Sequence, residues 1–329
     1  MRKNTKGDLV AISRTKVVIV GAGAVGASVA FHLVMGNVCD DLVLIDINRE
    51  KAWAEATDLQ HALGYSGVRM HVSDGDYTAC ADADIAVIAA ATPYQKGQTR
   101  LDMADKAAKI LESVVPNIMK SGFSGIIVVI TNPVDVMTFH ALRLSGLPAA
   151  KVLGTGTALD SARLRFYLAE VMHVDPLSVS AVCMGEHGDS QFIPWSQVTV
   201  GGKKFLDIVR DNADRWNAGD IDAISENTRM MANRIMLAKG ATTFGIAATT
   251  VQIVKAILHD ENKVIPVSAM LSGEYGEQGI YAGVPAVLCS SGIKELVEYH
   301  LTDEEMDAFH KSAEIIRTHS NALAKRLPD

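Results

Sequence analysis

The sequence is poor in the features that would staple, anchor or charge a chain. Of its 329 residues only four are cysteines, Cys39, Cys80, Cys183 and Cys289, and their wide spacing forms neither a CxxC pair nor a metal-ligand pattern. That argues against a disulfide scaffold or a metal centre and fits a reducing cytosol. Apolar runs stop well short of the roughly 18 residues of a membrane span, so no membrane partner is expected. No basic patch interrupts a formal net charge of -7, which speaks against nucleic acid as a partner. Internal repeats and low-complexity linkers are missing too. Residues 1 to 14 start charged and polar, lack the apolar core of a signal peptide and read as a loose leader, so a cytoplasmic location is expected.

What is present is apolar content of 48%, ample for buried cores in a chain of this length. From Thr15 to Leu153 short β-branched runs alternate with helical periods, the pattern of a parallel sheet wound by crossover helices. The strands predicted are Lys16 to Val20, Leu42 to Asp46, Val68 to Val72, Ile85 to Ala89, Ile126 to Ile130 and Lys151 to Leu153. Helices are expected from Val25 to Met35, Arg49 to Leu63, Met103 to Lys120 and Val134 to Leu144. This is an α/β, doubly wound Rossmann-type sheet. Beyond residue 155 the pattern becomes mixed α+β. A helix opens near Ala158, a strand runs from Ser178 to Met184, and an antiparallel stretch lies around Gln197 to Phe205. Helices are expected at Ile221 to Ala238 and Thr243 to Leu258, strands at Val264 to Leu271 and Val287 to Cys289, and a charged helix from Asp303 to Lys325. The expected division is a nucleotide-binding domain at 15–155 and a substrate domain at 156–329, with ligands between them.

The nucleotide end is marked by Gly21-x-Gly23-x-x-Gly26, which follows a strand and opens a helix. Glycines there permit a tight turn, close approach of a pyrophosphate and packing of helix on sheet. The next strand ends in Asp46, twenty residues past Gly26, where a carboxylate can accept hydrogen bonds from an adenosine ribose and would repel the extra phosphate of NADP. NAD is therefore the expected cofactor.

The chemical end is marked by Gly185-Glu186-His187-Gly188-Asp189, one histidine on a glycine-flanked turn, able to exchange a proton near neutral pH. Reducing a carbonyl by hydride needs that proton, a cation to polarise the carbonyl, and a group that fixes orientation. Asp160 and Arg163 stand three apart on one helix face, where one can orient His187 while the other forks onto a carboxylate. Arg100 follows Pro93-Tyr94-Gln95-Lys96-Gly97-Gln98, which has the composition of a mobile lid. This set suits a 2-oxo acid substrate.

In these segments the chain resembles the L-lactate dehydrogenase family, a branch of the lactate/malate dehydrogenase superfamily. The matching segments are the glycine loop, Thr99-Arg100-Leu101-Asp102, Thr131-Asn132-Pro133-Val134-Asp135, Gly154-Thr155-Gly156-Thr157, Asp160-Ser161-Ala162-Arg163, Gly185 to Asp189 and Lys239-Gly240-Ala241-Thr242. The resemblance implies that His187 donates and accepts the proton, Asp160 partners it, Arg163 anchors the carboxylate and Arg100 polarises the carbonyl. Asn132 and Thr242 would line the substrate pocket. For NAD it implies Val25, Asp46, Lys51, Tyr77, Ala91, Thr92, Ser113 and the strand end Ile130 to Asn132. It further implies a cytoplasmic homotetramer of fermentative glycolysis.

Two positions depart from that pattern. Six residues before Arg100, where lactate enzymes commonly carry glutamine and malate enzymes arginine, stands Tyr94, with Gln95 beside it. The missing arginine disfavours malate, whose second carboxylate needs a cation. Tyr94 leaves room for a longer aliphatic 2-hydroxy acid, such as 2-hydroxyisocaproate, and a shift in loop register would put Gln95 in its place. Members activated by fructose 1,6-bisphosphate pair an arginine, matched here by Arg165, with a histidine, where this chain has Ser180. The half-missing pair argues against that regulation.

Overall fold

The computed structural model describes residues 2–3, 9–10, 14–92, 100–216 and 218–324. Ahead of the main fold, Arg2–Lys3 and Leu9–Val10 pair as a small antiparallel ribbon. The first half then alternates strand and helix: β1 (Lys16–Val20), α1 (Ala24–Met35), β2 (Asp41–Ile45), α2 (Arg49–Ser66), β3 (His71–Asp74), β4 (Ile85–Ile88), α3 (Arg100–Lys120), β5 (Ile126–Val129), α4 (Val134–Ser145) and β6 (Val152–Gly154). The second half runs α5 (Ala158–Met172), β7 (Val179–Ser180), β8 (Thr199–Val200), β9 (Lys203–Lys204), α6 (Phe205–Asp211), α7 (Ala218–Lys239), α8 (Phe244–Leu258), β10 (Lys263–Ser272), β11 (Gln278–Cys289), β12 (Gly292–Leu296) and α9 (Asp303–Ala324).

Strands β1 to β6 pair in parallel in the spatial order 3-2-1-4-5-6. Strands β1, β2, β4, β5 and β6 are buried along nearly their whole length, which is why they read as near-continuous apolar runs, whereas β3 lies at the sheet edge with His71 and Asp74 exposed. Along β1, Val17 and Ile19 pack toward α1, α2 and α8, whereas Val18 and Val20 pack toward α3 and α4. Because the chain order reverses between β1 and β4, the carboxyl ends of these two strands open a crevice, the place where such sheets receive ligands.

The glycine loop sits at that crevice. Gly21 has φ +105°, and a Cβ there would lie 2.5 Å from the Ala90 nitrogen. A Cβ on Gly26 would lie 1.9 Å from the Gly21 oxygen, so any side chain would push α1 off the loop. Gly23 differs: nothing lies within 4 Å of where its Cβ would be. The space above it is open for a ligand.

Several elements depart from the sequence expectation. The third strand lies at His71–Asp74 and not at Val68 to Val72, because α2 runs on to Ser66 and closes on Gly67 in the left-handed conformation, leaving residues 68–70 as the return path. The strand expected over Ser178 to Met184 shrinks to Val179–Ser180. Hydroxyls of α5 replace its ladder: Ser161 Oγ accepts from the Cys183 amide at 2.9 Å, and Thr157 Oγ donates to the Cys183 carbonyl at 2.7 Å.

Strand β11 is 12 residues long, far beyond Val287 to Cys289, since Gly279, Gly283 and Pro285 mask its strand signal. Strand β12 and helix α6 were not expected at all. The late strands β10, β11 and β12 also extend the same sheet antiparallel, with Ser268 of β10 opposite Gly154 of β6. One nine-stranded sheet thus runs through both halves, while β7, β8 and β9 form a separate three-stranded one.

Candidate active site

Helix α5 begins directly after β6 with Thr157 at its N-cap, so its first turn opens at the carboxyl edge of the sheet. Asp160 and Arg163 lie three residues apart on it, and Arg163 Nη1 donates to Asp160 Oδ1 at 2.6 Å. The other oxygen, Oδ2, meets His187 Nδ1 at 2.6 Å. One carboxylate therefore holds both the histidine and the arginine. Asp160 is 2% exposed, and the His187 side chain 24%, so the ring has one edge on buried charge and another toward solvent.

The electrostatics follow from this pairing. Burial alone would raise the Asp160 carboxyl, but the His187 ring and then the Arg163 guanidinium outweigh it and hold the group below the usual carboxylate value. Burial alone would lower His187, yet Asp160, through charge and hydrogen bond, and then the charge of Asp135 carry it above the ordinary 6.5. The protonated ring is thereby favoured, which is the direction a proton donor near neutral pH needs.

The loop carrying His187 is tied at both ends. Met184 bridges Phe192, and Gly185 bridges Gly283 of β11. Gly185 has φ +88°, and a Cβ there would meet Ser312 Oγ of α9 at 2.5 Å. Ser312 Oγ accepts from the Glu186 amide at 2.7 Å, and Ser190 Oγ donates to Glu186 Oε2 at 2.5 Å. Asp135, in the first turn of α4, accepts the His187 amide at 2.8 Å. Sequence reasoning assigned no part to Asp135, Glu186, Ser268 or Ser312. The run Thr131 to Asp135 singled out Asp135 but could not say what it touches.

The other candidates stand as follows. Asn132 is exposed just beyond β5, and Thr242 is half-buried in the turn between α7 and α8. Arg100 opens α3, but its side chain, and Tyr94 and Gln95 with the whole expected lid, lie outside the described residues. Arg165 Nη1 turns onto the Ala181 carbonyl at 3.4 Å, while Ser180 is exposed on β7.

At the nucleotide end, Asp46 Oδ2 accepts from the Ala22 amide at 2.7 Å and Oδ1 from Asn48 at 2.9 Å. This carboxylate shapes the glycine loop itself, beyond the ribose contact expected of it. Tyr77 is half-buried, and burial first, then Cys80 and Asp46, raise its phenol. Val25 packs against the core from α1. Lys51, Ala91, Thr92 and Ser113 are exposed, whereas Ile130 is buried and offers only its main chain. Open space over Gly23 and an α1 N-terminus without a side-chain cap fit a pyrophosphate.

Residues 15–154 match the NAD binding domain of lactate/malate dehydrogenase, and residues 157–326 match the alpha/beta C-terminal domain of the same family. The chain belongs to the lactate/malate dehydrogenase family. Among relatives of this lactate/malate dehydrogenase, L-lactate dehydrogenase 3 of Bacillus cereus is 44% identical over 98% of this chain and 99% of its own. The minor L-lactate dehydrogenase of Enterococcus mundtii in its ligands-bound form superposes with a TM-score of 0.91 at 41% identity, covering 94% of this chain and 98% of that one. The lactate dehydrogenase of Cryptosporidium parvum, complexed with lactic acid and nicotinamide adenine dinucleotide, superposes with a TM-score of 0.92 at 31% identity, over 97% and 100% of the two chains.

Asp46 holds the glycine loop through the Ala22 amide, and Asp46→Ser tests whether it also meets the ribose, with a double expected outcome. NADH affinity falls because the Ala22 amide loses its acceptor, and the preference for NADH over NADPH narrows because a like charge is gone. The ratio of kcat/KM for the two cofactors measures it, and an unchanged ratio removes Asp46 from the ribose.

Proposed function

We propose that this chain is an NAD-dependent L-lactate dehydrogenase interconverting pyruvate and L-lactate. The observation that carries this reading is the single buried carboxylate of Asp160 shared by His187 and Arg163. Bound NAD supplies the hydride chemistry at its nicotinamide ring. The glycine loop, with Gly21, Gly23 and Gly26, holds the pyrophosphate and Asp46 the ribose. Val25, Lys51, Tyr77, Ala91, Thr92, Ser113, Ile130 and Asn132 surround the cofactor.

His187 gives its Nε2 proton to the substrate oxygen on reduction and takes it back on oxidation, while Asp160 holds Nδ1 and balances the imidazolium. Arg163 binds the substrate carboxylate with the N–H groups that Asp160 leaves free. Arg100 polarises the carbonyl, Asn132 and Thr242 line the pocket, and Tyr94 meets the substrate's side chain. The division of labour is an NAD-binding domain at 15–155 and a catalytic domain at 156–329. The assembly proposed is a cytoplasmic homotetramer serving glycolysis and fermentation, for which exposed apolar side chains such as Phe31, Trp53 and Phe166 are fitting contact groups. With Ser180 where members activated by fructose 1,6-bisphosphate carry a histidine, no such activation is proposed.

Tyr94 favours one second reading, an L-2-hydroxy acid dehydrogenase for larger aliphatic substrates. NADH oxidation with a panel of 2-oxo acids separates the two. Pyruvate is expected to give the highest kcat/KM, with oxaloacetate poor because no cation meets its second carboxylate. A preference for 2-oxo-4-methylpentanoate selects the second reading, and a preference for oxaloacetate refutes both.

A further inference from the structure

A second carboxylate stands behind the histidine. Asp135 is 2% exposed, and its oxygens divide between two elements far apart in sequence. Oδ2 accepts the backbone N–H of His187 at 2.8 Å, and Oδ1 accepts the hydroxyl of Ser268 at 2.6 Å. Ser268 is fully buried in β10, opposite Gly154 of β6. One side chain in the first turn of α4 thus ties the catalytic loop to the middle of the sheet.

We propose that Asp135 is a positioning residue for His187, pinning the histidine's own amide to the sheet and setting a second anion beside the imidazole. This rests on the reading of His187 as proton donor. A buried carboxylate is costly unless it is hydrogen-bonded and its charge is compensated. The two groups that hydrogen-bond Asp135, a serine hydroxyl and a peptide amide, are uncharged. Among the described residues, the cation facing it is the His187 ring and the anion facing it is Glu186. The charged groups facing His187 among the described residues are Asp160, Asp135 and Arg163.

Burial pushes the Asp135 carboxyl up to about 6, against the hydrogen bonds of Ser268 and the His187 amide and the charge of the ring. Near neutral pH the group is thus mainly an anion and favours the imidazolium. Reduction of the oxo acid consumes that imidazolium. With the second anion removed, His187 loses its proton at lower pH, and the reductive rate falls away at lower pH as well.

Asp135→Asn isolates the charge. Its amide oxygen still accepts from the His187 N–H, and its NH2 can donate to Ser268 once that hydroxyl turns. Two readouts on the purified full-length enzyme test the idea: the pH profile of kcat for pyruvate reduction, and the titration of the His187 ring followed by NMR with labelled histidine.

In Asp135→Asn the alkaline limb and the ring titration are both expected to move down by about one unit, so that the loss of turnover grows as pH rises. Ser268→Ala, which removes a donor from the anion and so raises the Asp135 pKa, is expected to move both in the same direction by less. A folded Asp135→Asn with limb and titration unmoved overturns the inference, as does an equal loss of turnover at every pH. Should Asp135→Asn fail to fold, an unmoved limb in Ser268→Ala overturns it. His187→Gln keeps the two readings apart. Normal turnover in that variant ends the proton-donor reading, whereas lost turnover together with an unmoved Asp135→Asn limb ends the Asp135 inference alone.

Discussion

Replacing His187 with glutamine is expected to lower kcat for pyruvate reduction at least about a hundredfold, because a positioned general acid contributes roughly 10² to 10⁴. NADH affinity is expected to stay near that of the parent, since, among the described residues, His187 bonds to Asp160 and Asp135 and not to the glycine loop or Asp46. Stopped-flow turnover and NADH fluorescence titration read the two quantities separately. The parent's pH dependence has a definite sign. With the folded pKa of His187 raised above 6.5, reduction holds through that value and falls as pH climbs past the raised one, while lactate oxidation, which needs neutral imidazole, rises over the same interval. A glutamine variant with near-parental turnover removes His187 from the chemistry.

The second large effect belongs to Arg163. Its side chain is 9% exposed, one donor is spent on Asp160, and the others form a planar fork suited to a carboxylate. A lysine offers a point charge that cannot hold Asp160 and fork onto substrate together. Leaving a buried charge without its partner costs about 2–5 kcal/mol, so Arg163→Lys is expected to lower kcat/KM for pyruvate by about 30-fold to 4,000-fold, at about 1.4 kcal/mol per factor of ten. Most of the loss should appear in KM. Some should appear in kcat, because Asp160 is also the group that orients His187. An unchanged KM for pyruvate takes Arg163 out of the carboxylate site.

The His187 dyad also shows where reading by sequence stops. The sequence pairs Asp160 with His187 because Asp160 shares a helix face with Arg163 and can orient a histidine, yet the two are 27 residues apart, and no local pattern states that their side chains meet at 2.6 Å. The contact exists because Ser161 and Thr157 capture the backbone of Cys183, ending the strand early and bringing the loop across α5. The same hydroxyls explain why the strand expected over Ser178 to Met184 is so short.

The sequence by itself determined the wound parallel sheet, the glycine loop with Asp46 at the next strand end, and the residue types of the proposed catalytic set. All of these depend on neighbours within a few tens of residues: apolar period, turn-forming glycine and the strand-to-helix offset. Only the tertiary structure decided that β10, β11 and β12 extend the first half's sheet, that Asp46 also shapes the glycine loop, and that Asp135 and Ser312 grip the histidine loop. Ser268 meets Asp135 across 133 positions, and Ser312 meets Glu186 across 126. Contacts at such separation are set by how the elements stack to bury their apolar faces, and a chain's local pattern does not record which distant hydroxyl that stacking delivers to a buried carboxylate.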